Sequence, residues 1–435
     1  MNSQKLTNYK ILKLTLLFSI LVFAFWRSPY IFQNGRFIGE EATHHFIYAL
    51  ENTFLKNLFY YVDEAGYFNL LPNILLEIST KIPIEFAPLI TVYGSFIFII
   101  LLPYLCLFRD SQFLDNENKK IIASLVLFLS PPFIPEIWIN SLNSQIYLCF
   151  ISILILFMIN LSCTQKILNH ILLLLAGLSG IYTCALLPLF GSKFYVNKTR
   201  YNFINLIILL ATNLLQSILI IYSKSSGKLH TSVLKNDFTF EIVPNFFYNI
   251  ITKPFFGREL THLAWNKIFI IINNSFLIFF ISLFIIFFSF FIFKFKMIII
   301  FFKKNKVFLN LISIFIIISV IILVGSLNNQ VGGRYAVIPG TLLILCALEI
   351  LYKTLNSYLK SISFILIFLS ITAGIYEFRP NQKNIHEDQY IKFLDCIECP
   401  DWKSEVKVWK NDNNYIIKIW PYPKKSLNLS KIKIN

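Results

Sequence analysis

The sequence predicts an all-α integral membrane protein with about eleven transmembrane helices, and three observations lead to that fold class. Hydrophobic residues make up 56% of the 435 residues and charged residues only 14%, whereas about a quarter of a typical soluble domain is charged. Apolar runs close to the ~20 residues that cross a bilayer recur along the chain. Lysine and arginine gather between those runs, as in cytoplasmic loops, so the net charge of +16 does not indicate a nucleic-acid-binding surface.

The first apolar run covers residues 11–26 and follows Lys5, Lys10 and Lys13. A cleaved signal peptide would end in a small-x-small motif, but this run ends in Phe-Trp-Arg-Ser-Pro. We therefore expect an uncleaved first span with its N-terminus in the cytoplasm.

The other spans follow from the remaining apolar runs. The run 168–192 is long for one span and is interrupted by Gly177, Gly180 and Pro188, so it predicts two short helices that enter the bilayer and return. The first span and these two short helices are joined by eight further runs, which brings the total to eleven: 88–108, 120–135, 146–162, 202–222, 268–293, 307–325, 335–352 and 361–376.

The distribution of charge tests this topology. The predicted outer loop 28–86 is acidic, whereas the predicted cytoplasmic segments are basic, so the N-terminus is expected inside and the C-terminus outside. We expect a polytopic transmembrane domain over 1–376, with outer loops 28–86 and 223–267, and a small outer tail over 377–435. The basic residues of the cytoplasmic segments are Lys5, Lys10, Lys13, Arg109, Lys119, Lys120, Lys166, Lys193, Lys198, Arg200, Lys294, Lys296, Lys303, Lys304, Lys306, Lys353 and Lys360.

The tail mixes charged residues with Trp402, Trp409 and Trp420, so it can bury a small core. About sixty residues is marginal for an independent domain, and we expect the tail to pack on the outer ends of the helices. Cys396 and Cys399 have the spacing of a redox motif but no strand–helix context, so a local disulfide and two free thiols are both open.

The first candidate site directly follows the first span and contains Glu40, Glu41, His44 and His45. Carboxylates near a low-dielectric surface need partners or a water-filled cavity, and their pKa values should be pushed apart, which suits one of them for proton transfer. On a helix, Glu40 and His44 lie one turn apart, and so do Glu41 and His45. That spacing also allows a divalent metal, and a solvated loop helix with incidental charges is the third interpretation.

A second acidic pair, Asp63 and Glu64, has no cation nearby in the sequence, so its role stays open. Tyr67 and Phe68 follow it and are either interfacial anchors or ligands, since aromatic side chains are common at membrane surfaces. An amphipathic or interfacial helix is expected over residues 73–80.

Two short outer hairpins carry further polar groups. The hairpin 135–147 contains Asn140, Asn143 and Gln145. The hairpin before the tenth span contains Arg334, which follows two glycines at the start of a helix. An outward arginine in that position is either a phosphate ligand or an interfacial residue that binds lipid headgroups.

The sequence lacks the motifs of common soluble enzymes. It has no phosphate-binding loop, no dinucleotide-binding glycine fingerprint, no nucleophile elbow and no zinc-type His-Glu pattern. No cofactor is therefore assigned, although a divalent metal at the first candidate site remains compatible with the spacing.

Together these motifs resemble the GT-C class of polytopic membrane glycosyltransferases, especially bacterial O-antigen glucosyltransferase-like proteins. The segment 40–42 is similar to a Glu-Asp-Gly motif of the first outer loop, and the segment 65–73 to a Gly-Tyr segment that leads to Pro-Arg. The segment 136–146 is similar to Glu-x-x-x-Asn-x-x-Asn-x-Gln-Trp, and 333–335 to a late Gly-Arg-Tyr motif. With the interrupted helix pair at 177–180 and the aromatic tail, the likeness extends over nearly the whole chain.

The resemblance implies transfer of a sugar from a polyprenyl-phosphate-linked donor to a cell-envelope glycan or lipid acceptor, on the outer face of a bacterial cytoplasmic membrane. It implies Glu41 as the catalytic base with Glu40 as its support, and Asp63 and Glu64 as the alternatives. Three positions depart from the pattern: Glu41 replaces Asp, Ala42 replaces Gly, and Asn73 replaces Arg. The residues implied in substrate or donor binding are Arg334, Tyr335, Asn140, Asn143, Gln145, Tyr67, His44 and His45.

Two other functions stay open. A transporter or flippase of envelope lipids or glycans should carry charged residues near the middle of its spans, and many have inverted repeats. Here the spans are nearly uncharged and the polar motifs collect on one rim, which favours an enzyme. An inactive structural relative is the other alternative, because Asn73 removes a phosphate ligand that the resemblance implies.

Overall fold

The computed structural model describes residues 3–130, 137–228, 242–272, 304–325, 333–379, 400–420 and 425–430. Helices account for most of these residues, and two short antiparallel hairpins are the sheets within them. The chain divides into two compact units. The first unit consists of Met1–Asp110, Pro135–Thr231 and Arg379–Asn435, and the second of Ser111–Ile134 and Ser232–Phe378.

The elements follow one another along the chain as short and long helices, with four brief strands. Through the first half they are α1 (Ser3–Arg27), α2 (Pro29–Asn34), a π-helix (Glu41–Phe46), α3 (Ile47–Glu51), α4 (Phe54–Leu58), β1 (Tyr61–Val62), β2 (Tyr67–Phe68), α5 (Leu70–Ser79), a 3-10 turn (Ile84–Phe86), α6 (Ala87–Phe108), α7 (Glu117–Leu129), α8 (Ser144–Phe157), α9 (Cys163–Leu178), a 3-10 turn (Tyr182–Leu186), α10 (Leu187–Val196) and α11 (Arg200–Ser225). Beyond them lie α12 (Ile242–Phe246), a π-helix (Phe247–Thr252), α13 (Lys253–Ile272), α14 (Lys306–Gly325), a 3-10 turn (Gly333–Ala336), α15 (Val337–Lys353), α16 (Ser357–Glu377), α17 (Trp402–Asn411), β3 (Ile417–Ile419) and β4 (Lys425–Leu427).

Six helices in the described ranges are long and apolar enough to cross a bilayer, and each coincides with a predicted span. The predicted all-α class is therefore confirmed, and the six helices support a membrane protein, whereas the total of eleven spans stays a prediction. The six segments are Tyr9–Arg27, Ile84–Phe108, Arg200–Ser225, Lys306–Leu323, Gly333–Lys353 and Ser357–Glu377.

Two other predicted spans correspond to shorter helices. The run 146–162 forms α8, which has 14 residues, all of them buried. Because every residue of α8 is buried, neighbouring elements enclose it on all sides, and it is a core helix of the first unit. The run 120–135 begins as α7 and continues beyond the described residues, as does most of the run 268–293.

The predicted interruption of the run 168–192 is present. α9 ends at Leu178 and α10 begins at Leu187, with a 3-10 turn between them. Gly180 lies at the break with a φ of 122°, and a Cβ there would stand 1.9 Å from the Gln145 side-chain oxygen. Glycine is thus required both by the backbone conformation and by the close approach of Gln145.

The described part of the tail packs on the first loop. α17 and the β3–β4 hairpin share one hydrophobic cluster with Phe37, Phe46 and Leu76. The Trp402 indole donates to the Ile84 carbonyl at 2.7 Å, and Ile38 forms a parallel bridge with Trp420. The tail therefore completes the core of the loop that carries the first candidate site.

In the second unit, a fully buried ion pair joins helix ends that are distant in sequence. Lys119, the third residue of α7, pairs with Glu349 near the end of α15, and both side chains are 0% exposed. Asn305, just before α14, donates to the other carboxylate oxygen of Glu349 at 2.9 Å. Three helix ends are therefore held by one carboxylate.

Candidate functional site

Glu41 is the first residue of the π-helix and is buried, with 1% of its surface exposed. The backbone N–H of Ile38 donates to Oε2 at 3.0 Å. The backbone N–H and the hydroxyl of Ser141 donate to Oε1 at 2.9 and 2.5 Å. One carboxylate thus joins the first loop to the hairpin between α7 and α8.

The environment of Glu41 balances two opposing effects on its acidity. Burial disfavours the charged form and raises the pKa of Glu41 to about 7, although the hydrogen bonds from Ser141 and Ile38 oppose the shift. Three donors occupy three of the roughly four acceptor positions of a carboxylate. A pKa near 7 is what a general base requires, and one acceptor position is left, but a substrate could reach Glu41 only if the loop opened, because 1% of its surface is exposed.

The turn that carries Ser141 is strained. Ile139 has a φ of 52°, a left-handed conformation that is unfavourable for a β-branched residue. The neighbouring Trp138 is fully buried, and its indole donates to the Ser28 hydroxyl at 3.0 Å. Such strain persists where surrounding contacts over-determine the backbone, and it concentrates at functional sites.

The peptide that follows Ser141 gathers two amide side chains. Asn69 and Gln145 both donate to the Leu142 carbonyl, at 3.1 and 3.5 Å, and Gln145 also donates to the Tyr67 hydroxyl at 3.3 Å. The side-chain oxygens of Asn69 and Gln145 are buried and have no hydrogen-bond partner among the described residues. These oxygens have almost no accessible surface, so a ligand hydroxyl or a water would reach them only if the turn opened.

His45 lies one turn after Glu41 and is 4% exposed. Its Nδ1 is 2.8 Å from the Asn73 side-chain oxygen, and the Asn73 amide group donates to the carbonyls of Leu58 and Tyr60 at 3.3 and 2.7 Å. Because those two carbonyls fix the orientation of Asn73, its oxygen can only accept, and Nδ1 must carry the proton. Burial lowers the pKa of His45 to about 4, so the ring is neutral at pH 7 with an unprotonated Nε2.

Asn73 is also the centre of a longer polar chain. Asn57 donates to the Asn73 carbonyl at 3.2 Å and to Glu77 at 3.0 Å. In the resemblance, Asn73 stands where an arginine is expected. Its complete burial and its contacts identify it instead as a structural residue that orients His45.

The other predicted residues of the first loop lie outside this buried cluster. Glu40 is 53% exposed and 3.7 Å from the Lys425 ammonium, His44 is half-buried, and Glu64 is exposed. Asp63 receives a 2.8 Å hydrogen bond from Lys228, which, together with Tyr61, lowers the pKa of Asp63. Asp63 has no cation near it in the sequence, but Lys228, just after the end of α11, is its partner in the fold.

The hairpin residues Asn140 and Asn143 are buried, and the side-chain oxygen of Asn140 accepts from the Leu142 N–H at 2.9 Å. Asn140 therefore shapes the turn that carries Ser141. Glu136 lies outside the described residues.

Arg334 and Tyr335 lie in the second unit, in the 3-10 turn that leads directly into α15. Gly333 before them has a φ of 61°. The Arg334 guanidinium is half-buried, 5.3 Å from the centre of the Tyr335 ring, and bonds its hydroxyl at 3.4 Å. The predicted arginine therefore lies at a helix start, with its guanidinium within cation–π distance of an aromatic ring.

Several residues that build the site were not identified from the sequence. Ser141 reaches Glu41 across 100 positions, and Gln216 of α11 bonds both backbone groups of Phe68 across 148. A serine or glutamine in an apolar run carries no local signal of such a partner. Within the described ranges, no three His, Cys, Asp or Glu side chains are grouped as metal ligands.

Comparison with protein families, with curated proteins and with solved structures finds no match to this chain.

Proposed function

We propose that this protein transfers a sugar from a polyprenyl-phosphate-linked donor to a cell-envelope glycan or lipid acceptor. The observation that carries the proposal is the turn at Ser141 and Leu142. Ser141 holds Glu41, whose pKa is about 7, and the adjacent Leu142 carbonyl holds Asn69 and Gln145 with unpartnered oxygens. Ser141 and Leu142 are adjacent, so they hold a base and two hydrogen-bond acceptors close together. This arrangement suits an acceptor sugar whose hydroxyl is deprotonated as it attacks.

In this proposal Glu41 accepts the proton of the attacking hydroxyl, and Asn69 and Gln145 orient the sugar. Arg334, in the second unit, is the proposed ligand of the donor phosphate, because a guanidinium offers a planar pair of donors to phosphate oxygens. Glu40 and His44, which are more accessible, contribute to the electrostatics and the entrance of the site.

The reaction is tested with the purified chain in liposomes that contain radiolabelled polyprenyl-phosphate hexoses. We expect label to move to an envelope glycan or lipid acceptor, and lipid-linked sugar to accumulate in cells that lack the protein. Failure to transfer any hexose, together with unchanged pools of lipid-linked sugar, would refute the proposal.

Transport of an envelope lipid or glycan is the alternative, and the buried Lys119–Glu349 pair is the observation in its favour, because buried charges in membrane helices often serve transport. The pair, however, lies at helix ends rather than near mid-span. An inactive relative is the third possibility, favoured by the complete burial of Glu41. Movement of intact lipid-linked sugar across liposomes without transfer would support transport.

We further propose eleven spans in a bacterial cytoplasmic membrane, with the N-terminus inside and the C-terminus outside. A reporter that is active only outside the cytoplasm should be active when fused after Asn435 and inactive when fused after Arg200, which lies in a basic segment. Activity at Asn435 of a reporter that works only in the cytoplasm would contradict this topology.

Replacing Arg334 should weaken binding of the lipid-linked donor. Arg334→Lys keeps the charge but loses the planar fork, so we expect donor affinity to fall roughly tenfold, and further in Arg334→Ala, while acceptor affinity changes little. Donor titrations on purified protein measure this, with Arg200→Lys, an exposed arginine, as the matched control. Unchanged donor affinity in both variants would assign Arg334 to lipid headgroups instead.

A further inference from the structure

The first unit has an apolar groove on the side of α5 that faces away from the candidate site. The groove has a volume of about 490 Å³ and is lined by Leu75, Ile78, Ile82, Phe86, Leu89, Ile90, Tyr93, Gly94 and Ile97. A volume of this size lies within the range of small-molecule sites, roughly 300–1,000 Å³. α5 and the first half of α6 form its walls.

The groove is distinct from the Glu41 site. At about 100° per residue, Leu75 and Ile78 project from the face of α5 opposite to Asn73 and Glu77. Asn73 and Glu77 belong to the polar chain that reaches His45. α5 therefore separates two environments, a polar one toward the candidate site and an apolar one toward the groove.

The length of the groove matches one leaflet of a bilayer. It runs from Phe86, directly before α6, to Ile97 of α6, which at 1.5 Å per residue is about 16 Å. Half of the hydrocarbon core is about 15 Å thick. Phe86, Tyr93 and Ile97 remain 42–63% exposed at this stretch of a membrane-spanning helix. A single acyl chain lying along α6 would cover them.

A lysine, Lys403, lies at the end of the groove where the span Ile84–Phe108 begins. The Lys403 ammonium lies 5.2 Å from the centre of the Phe86 ring and bonds the Gln33 carbonyl and the Asn34 side-chain oxygen at 3.2 and 3.5 Å. No carboxylate lies within ion-pair distance of Lys403 in the described part of the chain. Lys81, 69% exposed, adjoins Ile82 on the other wall.

The carboxylates near this end are already paired. Glu77 pairs with Lys81 and accepts from Asn57, and Glu85 pairs with Lys410. Asp401, two residues before Lys403, accepts hydrogen bonds from Tyr30 and Ser404. Lys403 therefore contributes positive charge that a lipid phosphate can complement, at the depth where the headgroup of a chain in the groove would lie.

We propose that this groove is a binding site for an anionic diacyl phospholipid, with one acyl chain along α6 and the phosphate beside Lys403. The occupant is a membrane phospholipid rather than the sugar donor, since the groove faces away from Glu41. The site joins the membrane, the first loop and the tail, because Lys403 comes from α17 and bonds Gln33 and Asn34 of the first loop. The proposal holds whether or not the protein transfers sugars.

The experiment titrates the purified full chain with phosphatidylglycerol and with phosphatidylcholine of the same acyl chains, and counts bound lipid by native mass spectrometry. The wild-type protein should bind phosphatidylglycerol about fivefold more tightly, as one lysine near a headgroup is worth about 1 kcal/mol. Lys403→Gln should remove that preference and Lys403→Arg should keep it. Lys407→Gln, an exposed lysine on the same helix, is the matched control and should change nothing.

A second pair of variants tests the groove itself. Ile90→Trp fills open space and should weaken binding of both lipids at least ~fivefold, whereas Leu214→Trp, 64% exposed on α11, should not. Equal lipid binding by Ile90→Trp and the wild-type protein would overturn the assignment. Displacement of phosphatidylglycerol by a lower concentration of polyprenyl phosphate, lost in Ile90→Trp, would also overturn it, since the groove would then hold the donor.

Discussion

Replacing Glu41 with glutamine is expected to lower sugar transfer at least ~10²-fold, because the amide cannot accept the proton of the attacking hydroxyl. Transfer by the wild-type protein should rise with pH through about 7, the pKa of Glu41, since only the ionised form acts as a base. The measurement is the pH profile of initial transfer rates for both proteins. The rise should be absent from the residual activity of Glu41→Gln.

Glu51→Gln is the matched control, because Glu51 is an exposed carboxylate of the same loop. It should transfer sugar at the wild-type rate. Near-normal turnover in Glu41→Gln, at normal protein levels, would move the base to Asp63 or Glu64. Asp63 would then have to act while paired with Lys228.

Glu41→Gln also changes the dependence of stability on pH. The folded-state pKa of about 7 lies above the ordinary value of 4.5, so the protonated form is favoured in the fold. The resulting stabilisation is complete below about pH 4.5 and is lost as the pH rises through about 7, a difference of roughly 3 kcal/mol. Glutamine removes this dependence on pH. Its NH₂ group would face the backbone N–H of either Ile38 or Ser141, so two hydrogen-bond donors would oppose each other at every pH.

Replacing Asn73 with aspartate is expected to destabilise the first unit by about 2–4 kcal/mol at pH 8. Aspartate cannot donate to the partly buried carbonyls of Leu58 and Tyr60, and an acceptor that loses its donor costs about 1–3 kcal/mol when it is shielded from water. The new carboxylate faces Nδ1 of His45 and should raise the pKa of His45 above its present value of about 4. Thermal unfolding in detergent and the histidine NMR titration measure the two effects.

The pH dependence identifies the cause. In the wild-type protein the lowered pKa of His45 contributes stability that is present above about pH 6.5 and is lost as the pH falls through about 4. Asn73→Asp should lose less stability than the wild-type protein over that interval. Asn414→Asp makes the same change at an exposed position and should leave both measurements unaffected. An unchanged His45 titration in Asn73→Asp would refute the role assigned to Asn73.

The six long apolar helices were predictable because apolar length is a local property of the sequence. The runs 88–108 and 202–222 coincide with helices, and Gly180 correctly indicates an interruption. Length alone could not show that α8 is enclosed by other helices rather than by lipid, since both surroundings select apolar residues.

The site was predictable only in part. Glu41 and His45 were identified because ionisable residues directly after a membrane span are costly near a low-dielectric surface unless they have partners or a function. Their partners were not, because Ser141 and Asn73 are ordinary polar residues whose roles depend on contacts 100 and 28 positions away. In the sequence, Asn73 was identified only as the start of a predicted helix and as a position where the resemblance implies an arginine. Its three side-chain hydrogen bonds give it a role that composition and spacing do not reveal.

The buried pair of Lys119 and Glu349 has a consequence for biosynthesis. The two residues are 230 positions apart, so at 5–20 residues per second a ribosome needs roughly 12 to 46 s to deliver the second after the first. Until Glu349 is made, the counter-ion within reach of Lys119 is Asp115, which lies four residues earlier, pairs with it at 3.4 Å and is 37% exposed. Because burying a lysine without a buried counter-ion costs several kcal/mol, Lys119 must stay close to water throughout that interval. We therefore expect the start of α7 to reach its final position only after α15 has been synthesised. Although α7 is made early, it should be among the last helices to pack in the second unit.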